Sequence, residues 1–252
     1  MSGSLRFLAA MLPELAAGLV ITLKLIACSV PLGLVIGYAV SVARTYGSRP
    51  LRATAVAYQS AFRGVPLLVQ LFLLYYALPR FGVTLSPFGA AVCGFGLCSG
   101  AYHSEYIRSA LLSIPTAQME AARALGMRRI TAVWRVILPQ AVRRSLGGCG
   151  NEVVSLVKYS SLAYLVTLVD LTGAGRQVAY RSFRFFETFL IVGLIYLALV
   201  AMVSAGVRWL EKRMDPEPHK TLRSPAAASP LAGRKRSHRI RSLVQSGARD
   251  SS

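Results

Sequence analysis

The sequence predicts an all-α membrane protein, a helical bundle of five spans, on three observations. The first is composition: of 252 residues, 54% belong to the set AVILMFWYC. Counting Gly in place of Tyr raises the share to about 58%, where soluble domains average about 45–50%. The second is charge, since only 15% of residues are Asp, Glu, Lys or Arg. Soluble proteins carry about 25%, so there is too little charge here to solvate a globular surface of this size. The third is imbalance: Lys and Arg number 29 and Asp and Glu 10, a formal net charge of +19. A surplus of that size means nucleic acid, anionic membrane or cytoplasmic loops, and its distribution decides among them.

A helix needs about 20 mostly apolar residues to cross the hydrocarbon core, and five such windows emerge, at residues 15–43, 55–78, 88–107, 147–169 and 188–207. The first follows a short segment, 1–14, with one Arg and an apolar stretch interrupted by Pro13. It has no obvious small-residue cleavage site, so the first span is expected to be retained rather than removed as a signal. The second contains Arg63, Gly64 and Pro66, of which the last two disturb a helix and the first can snorkel. The third contains Gly96 and Gly100, in GFGLCSG, small enough to let a neighbouring helix approach closely. The fourth carries polar residues and the fifth is almost wholly apolar.

Orientation follows from where the basic residues collect, because short loops rich in Lys and Arg stay cytoplasmic. With the C-terminus inside, the cytoplasmic segments hold 21 of them, the external segments hold 5, and Lys24, Arg63 and Lys158 fall within spans. The N-terminus is therefore expected outside, the C-terminus in the cytoplasm. The same asymmetry accounts for the surplus charge with no nucleic acid. Residues 214–252 turn to Pro, Ser, Ala and Arg, with RKRSHRIR at 234–241, and lack the apolar periodicity to bury a core. Three regions result: an external segment 1–14, a transmembrane domain 15–213 and a disordered basic cytoplasmic tail 214–252. Such a tail could bind anionic lipid or nucleic acid, but a solvated tail is the simpler reading.

Several chemistries are disfavoured. Phosphate cradling needs GxxxxGK[ST] or GxGxxG between a strand and a helix, and neither occurs in that context. Cys28, Cys93, Cys98 and Cys149 fall inside apolar stretches without a CxxC pair, so they read as small buried hydrophobes. His103, His219 and His238 are too far apart for a zinc site. No metal centre and no catalytic Ser, His and Asp arrangement is expected.

Polar groups inside the spans are the informative ones, because an ionisable residue in hydrocarbon costs at least about 2.5 kcal/mol and usually faces a partner or a watery path. At about 100° per residue, Asn151, Ser155 and Lys158 share an arc of roughly 60°, which Glu152 and Tyr159 widen to roughly 120°. This stripe either lines a translocation path or forms an interhelical hydrogen-bond seam. Glu105, near the end of the third span, is followed three residues later by Arg108. It either pairs along the helix or accepts a hydrogen bond from a substrate ammonium.

Residues 120–139 read EAARALGMRRITAVWRVILP, which is not a loop composition. Ala, Leu, Arg and Glu favour helix, Gly126 supplies a turn, and Pro139 ends or kinks what precedes it. Two short helices joined at Gly126 are expected on the cytoplasmic side, resting on the membrane or docked in a partner groove.

This segment resembles the EAA motif of permease subunits in ABC importers: Glu-Ala-Ala, three residues, Gly, nine residues, Ile, one residue, Leu-Pro. Glu120, Ala121, Ala122, Gly126, Leu138 and Pro139 match, and Val136 stands where Ile is usual. The strings FRGVPLLVQLFLLYY from Phe62, SGAYHSEYIRSALLSIP from Ser99 and GNEVVSLVKYSSLA from Gly150 narrow the resemblance to permeases for polar amino acids and opines. It spans about residues 15–213. Tyr159 departs from the acidic or amide residue expected after the Lys.

The resemblance implies a multi-pass permease of the bacterial inner membrane, working by alternating access, with the EAA-type loop as the place where ATPase subunits couple. ATP and Mg belong to those partners, and no cofactor is expected in this chain, which is no enzyme. The other implied partners are a second permease copy or paralogue and a periplasmic or extracellular solute-binding protein. For a zwitterionic amino acid, Glu105 is the candidate acceptor for the ammonium and Lys158 the candidate donor to the carboxylate, with Asn151 and Ser155 along the path. The alternative from another class is a membrane channel or scaffold without ATP coupling.

Overall fold

The computed structural model describes residues 3–214, and those residues are all-helical apart from short connections. The tail residues from 215 onward, with His219 and His238, lie outside the described residues. Helix α1, Gly3–Tyr46, is 44 residues long and holds Pro13 and Pro31 within it. Residues 3–14 are thus helical and continuous with the rest of α1. It ends against Gly47, whose N–H reaches the Ala43 carbonyl at 3.0 Å.

Helix α2, Arg49–Gly64, stops because Pro66 has no N–H and pushes Val65 into an extended conformation, at φ −102 and ψ 131. The chain then turns by 104° into residues 67–81, formed by α3, Leu67–Phe72, a π-helical turn, Leu73–Ala77, and a 3₁₀ turn, Leu78–Phe81. The predicted second span, 55–78, is thus not one straight helix. The break costs little because Gln70 Nε2 donates to the Phe62 and Val65 carbonyls, both at 2.8 Å. Orphaned backbone groups at membrane depth need such internal partners.

Helix α4, Pro87–Leu112, starts at Ser86, whose hydroxyl accepts from the Gly89 N–H at 3.1 Å. It is the central helix, packed against α1, α2 and the later helix α7. A Cβ on Gly96 would lie 2.5 Å from the Leu32 side chain, and one on Gly100 would lie 2.7 Å from Ile36. The neighbour that the two glycines admit is α1. Enclosure also explains how α4 accommodates polar residues: Ser99, His103 and Ser104 are fully buried among its neighbours.

After α5, Thr116–Ala124, the chain enters α6, Arg129–Ala132. It passes through a π-helical turn, Val133–Ile137, into α7, Leu138–Tyr159. The second of the two expected short helices is therefore the first turns of the fourth span's helix, not a separate element. Pro139 does not end it, because the wider π turn absorbs both its missing N–H and the clash of its ring with the preceding turn. Residues Ser160–Val166 tighten to 3₁₀, and Thr167 at φ 64 turns the chain. Helix α8, Leu171–Ser182, leaves at 54° to the helix Arg129–Val166. Helix α9, Phe185–Met214, closes the described chain.

Among the described residues two helices are long and apolar enough to cross a membrane, Phe7–Tyr46 and Phe185–Met214, or up to four segments if each bent pair is one span. Three buried clusters hold the bundle. One lies among α1, α8 and α9, around Met11, Leu171 and Val192. The next centres on Phe95, Leu71 and Leu156. The last, around Ile107, Ile137 and Ala141, lies towards the Tyr46 end of α1.

Candidate functional site

The EAA-like residues divide by exposure. Helix α5 closes in a Schellman motif: the Met127 N–H reaches the Ala122 carbonyl at 3.2 Å, and the Gly126 N–H reaches the Arg123 carbonyl at 2.9 Å. Gly126 occupies the left-handed position at φ +81, and a Cβ there would meet nothing within 4 Å. Its glycine is required by backbone conformation and not by space. Glu120 and Ala121 are exposed on the surface of α5, and Leu125 is 81% and Ile130 67% exposed beside the turn. Ala122 and Leu138 face inward, at 4% and 9%, while Pro139 is exposed. Glu120, Ala121, Leu125 and Ile130 thus form the exposed face of the loop, with Ala122 and Leu138 seating it on the bundle.

That seating is explicit. Gln140 Nε2 donates to Gln118 Oε1 at 2.5 Å, and Arg144 Nη1 donates to the Ser113 carbonyl at 2.7 Å and hydroxyl at 3.0 Å. Both tie the start of α7 to the segment around α5. The segments α6, the π turn and α7 follow one another without a break, so roughly 40 Å of helix separates the loop from Lys158.

The polar stripe on α7 is only partly as the spacing predicts. Asn151 and Lys158 are exposed, Tyr159 is 48% exposed, and Ser155 is half-buried. Ser155 Oγ donates to the Asn151 carbonyl at 3.0 Å, a bond within its own helix. Glu152 turns away from the stripe into the protein, at 7% exposure. Among the described residues no carboxylate lies within ion-pair distance of Lys158.

Glu105 is not an uncommitted acceptor. Its carboxylate takes Arg44 Nη1 at 2.8 Å and Arg63 Nη1 at 3.5 Å, with Arg108 Nη1 at 4.0 Å. The intrahelical partner that spacing suggests is the most distant of the three. Arg63 also lies over the Tyr102 ring at 5.2 Å. Nor does the structure bring Glu105 and Lys158 together. Gly148 packs against Tyr106, the neighbour of Glu105, and Lys158 stands ten residues further along α7, about 15 Å at 1.5 Å per residue.

One carboxylate among three guanidinium groups makes a test. Glu105→Gln leaves three arginines without a counter-charge, and at 34% exposure the cost falls between surface and buried pairs, about 1–3 kcal/mol. The expected result is a lower melting temperature and less protein in the membrane. Normal thermal stability with loss of uptake alone would instead assign Glu105 to the solute.

Asp170 is a residue that spacing did not single out. Fully buried, it caps α8 by accepting from Gly173 N at 2.9 Å and Thr172 N at 3.3 Å. Tyr196 Oη donates to it at 3.2 Å, so it joins α8 to α9. The readable signal was an Asp immediately before a helix-forming run.

An all-helical bundle in which two helices are long and apolar enough to cross a membrane is the architecture of an integral membrane protein. The chain belongs to the family described as binding-protein-dependent transport system inner membrane component, which matches residues 29–216. It is 37% identical over 204 residues to the L-cystine transport system permease protein TcyB of Bacillus subtilis (strain 168), covering 81% of this chain and 87% of that protein. It is 39% identical over 218 residues to the octopine transport system permease protein OccM of Rhizobium meliloti, covering 83% and 89%. A crystal structure of an amino acid ABC transporter with histidines is similar at 32% identity and TM-score 0.75, covering 82% of this chain and 96% of that one. The inward-facing MetNI methionine ABC transporter, at 23% identity and TM-score 0.69 over 81% of this chain and 98% of that one, shares the fold. Membership decides against the channel or scaffold: the chain is a permease subunit of an ABC importer.

Proposed function

We propose that the chain forms the translocation path for polar amino acids or opine-like compounds in the bacterial inner membrane and is driven by two separate ATPase subunits. The relatives named for L-cystine and octopine support that solute class. Five spans are assigned to α1, the bent pair α2 and α3, α4, the later part of α7 with the turn that follows it (147–169), and α9. The N-terminus lies outside, and the α5 loop and C-terminus lie in the cytoplasm. A second permease copy or paralogue completes the path, and a solute-binding protein delivers the solute outside. The ATPases supply ATP and Mg.

The observation that carries this reading is the uninterrupted rod from the Gly126 turn to Lys158. The turn presents apolar and acidic side chains for a partner, and the rod ends in an exposed cation with Asn151 and Ser155 behind it. Lys158 is the donor assigned to the solute carboxylate. Glu105, held by three arginines, is assigned to the charged cluster near the cytoplasmic end of α4.

Two experiments test the reading. Co-purification should recover an ATPase subunit, and reconstitution with it and a binding protein should give ATP-dependent uptake of a labelled amino acid or opine. ATP-independent flux would remove the coupled importer. Reporter fusions at Ser4 and Ser252 should report opposite sides of the membrane, with Ser252 cytoplasmic. Both ends on one side would sink the five-span topology.

A further inference from the structure

A groove of about 840 Å³ runs between α1 and the junction of α6 with α7. Its walls are apolar, with Val35, Ala39 and Val42 on one side and Val133 and Val142 on the other. Its mouth is aromatic and basic: Arg129 lies over the Tyr46 ring at 5.7 Å, and Trp134, also lining the groove, is 59% exposed. Along α1 the lining runs from Val35 to Gly47, about 18 Å at 1.5 Å per residue. That is close to one leaflet, about half of a 30 Å hydrocarbon core. Arg49, Arg52 and Arg128 are exposed at the same end. No Asp or Glu occurs in residues 35–52 or 128–143.

We propose that this groove binds one anionic phospholipid of the cytoplasmic leaflet, its acyl chain along α1 and its phosphate against Arg129. The site goes beyond the transport role but rests on the orientation given above, which places the Tyr46 end in the cytoplasm. The polarity gradient fits a lipid end to end: apolar for the depth of a leaflet, aromatic at the interface where Trp and Tyr settle, then basic where anionic headgroups lie. Charge argues against the chain's own tail as occupant, because RKRSHRIR at 234–241 would meet a rim of its own sign. A lipid seated there touches α1 on one wall and the rod leading to Lys158 on the other.

The test uses the full permease–ATPase complex, exchanged with equimolar phosphatidylglycerol and phosphatidylcholine and read by native mass spectrometry. Phosphatidylglycerol should be retained over phosphatidylcholine, and free glycerol 3-phosphate should not displace it. Arg129→Gln should lower its retention about fivefold, the weight of one basic residue at an anionic surface. Ala39→Trp, which fills the apolar wall without changing charge, should abolish retention in an assembled complex. Equal retention of both lipids, displacement by glycerol 3-phosphate, or retention indifferent to both variants would overturn the proposal. The last is the outcome if the tail or a second copy fills the groove. One-sided labelling of Ser48→Cys reports orientation by itself, so a reversed topology and an empty groove give different results.

Discussion

Gly126→Val is expected to weaken ATPase association about tenfold while the permease stays inserted. The left-handed position at φ +81 costs an L-residue roughly 1–2 kcal/mol, and a β-branched side chain tolerates it least. About 1.4 kcal/mol is tenfold in a binding constant. Relieving the strain means opening the Schellman turn, which shifts Glu120 and Ala121 relative to Ile130 and spoils the surface a partner meets. The bundle below is held by Ala122 and Leu138, so it should survive. Gly126→Asn separates strain from crowding, because Asn adopts the left-handed conformation readily yet is no smaller than Val. Near-normal association for Asn with the Val defect intact is the expected pattern. Equal loss in both variants would assign the effect to bulk, and unchanged association and stimulated ATP hydrolysis in Gly126→Val would mean this turn is not the coupling site. Ala121→Leu should act like Val, since Ala121 is exposed, whereas Ala122→Leu should destabilise the fold, since Ala122 is 4% exposed.

What could be read in advance was local. Helical character followed from apolar runs, and the close approach of some helix to α4 followed from Gly96 and Gly100, because small residues at that spacing admit a neighbour; that the neighbour is α1 is seen only in the structure. The turn at Gly126 was equally readable, as Gly is the residue that closes a helix in the left-handed conformation. The misses concerned which groups compensate each disturbance, some of them near in sequence and some distant. Gly64 and Pro66 announced a disturbed helix, but a turn of 104° needs Gln70 folded back onto the freed carbonyls. Pro139 suggested an end or a kink, and the π turn before it lets the helix run on. Spacing paired Glu105 with Arg108, three residues away, whereas its shortest contact is Arg44, 61 residues away in sequence. The arc on α7 was drawn by angle alone, and periodicity does not say which part of it a neighbour covers: Glu152 is buried while Asn151 and Lys158 are exposed.

Lys158→Ala is expected to lower uptake of a zwitterionic or anionic solute by about tenfold to a hundredfold, the worth of a hydrogen bond to a charged group, about 1.5–3 kcal/mol. The argument rests on what an exposed, unpaired cation does at this depth. Among the described residues no acid neutralises Lys158, and its neighbours on the stripe, Asn151 and Ser155, are polar. An ammonium facing hydrocarbon would cost at least about 2.5 kcal/mol, so its exposed face belongs to a water-filled path or to the second permease subunit. In a path, the charge is available for a carboxylate, and its loss should raise KM for the solute while leaving membrane levels unchanged. Lys158→Arg should recover most of the uptake, because it restores the charge with a larger head. At a subunit seam, Lys158→Ala should instead reduce the amount of assembled complex, with normal KM in what remains. Normal levels together with normal KM and normal maximal rate would remove Lys158 from both the path and the seam.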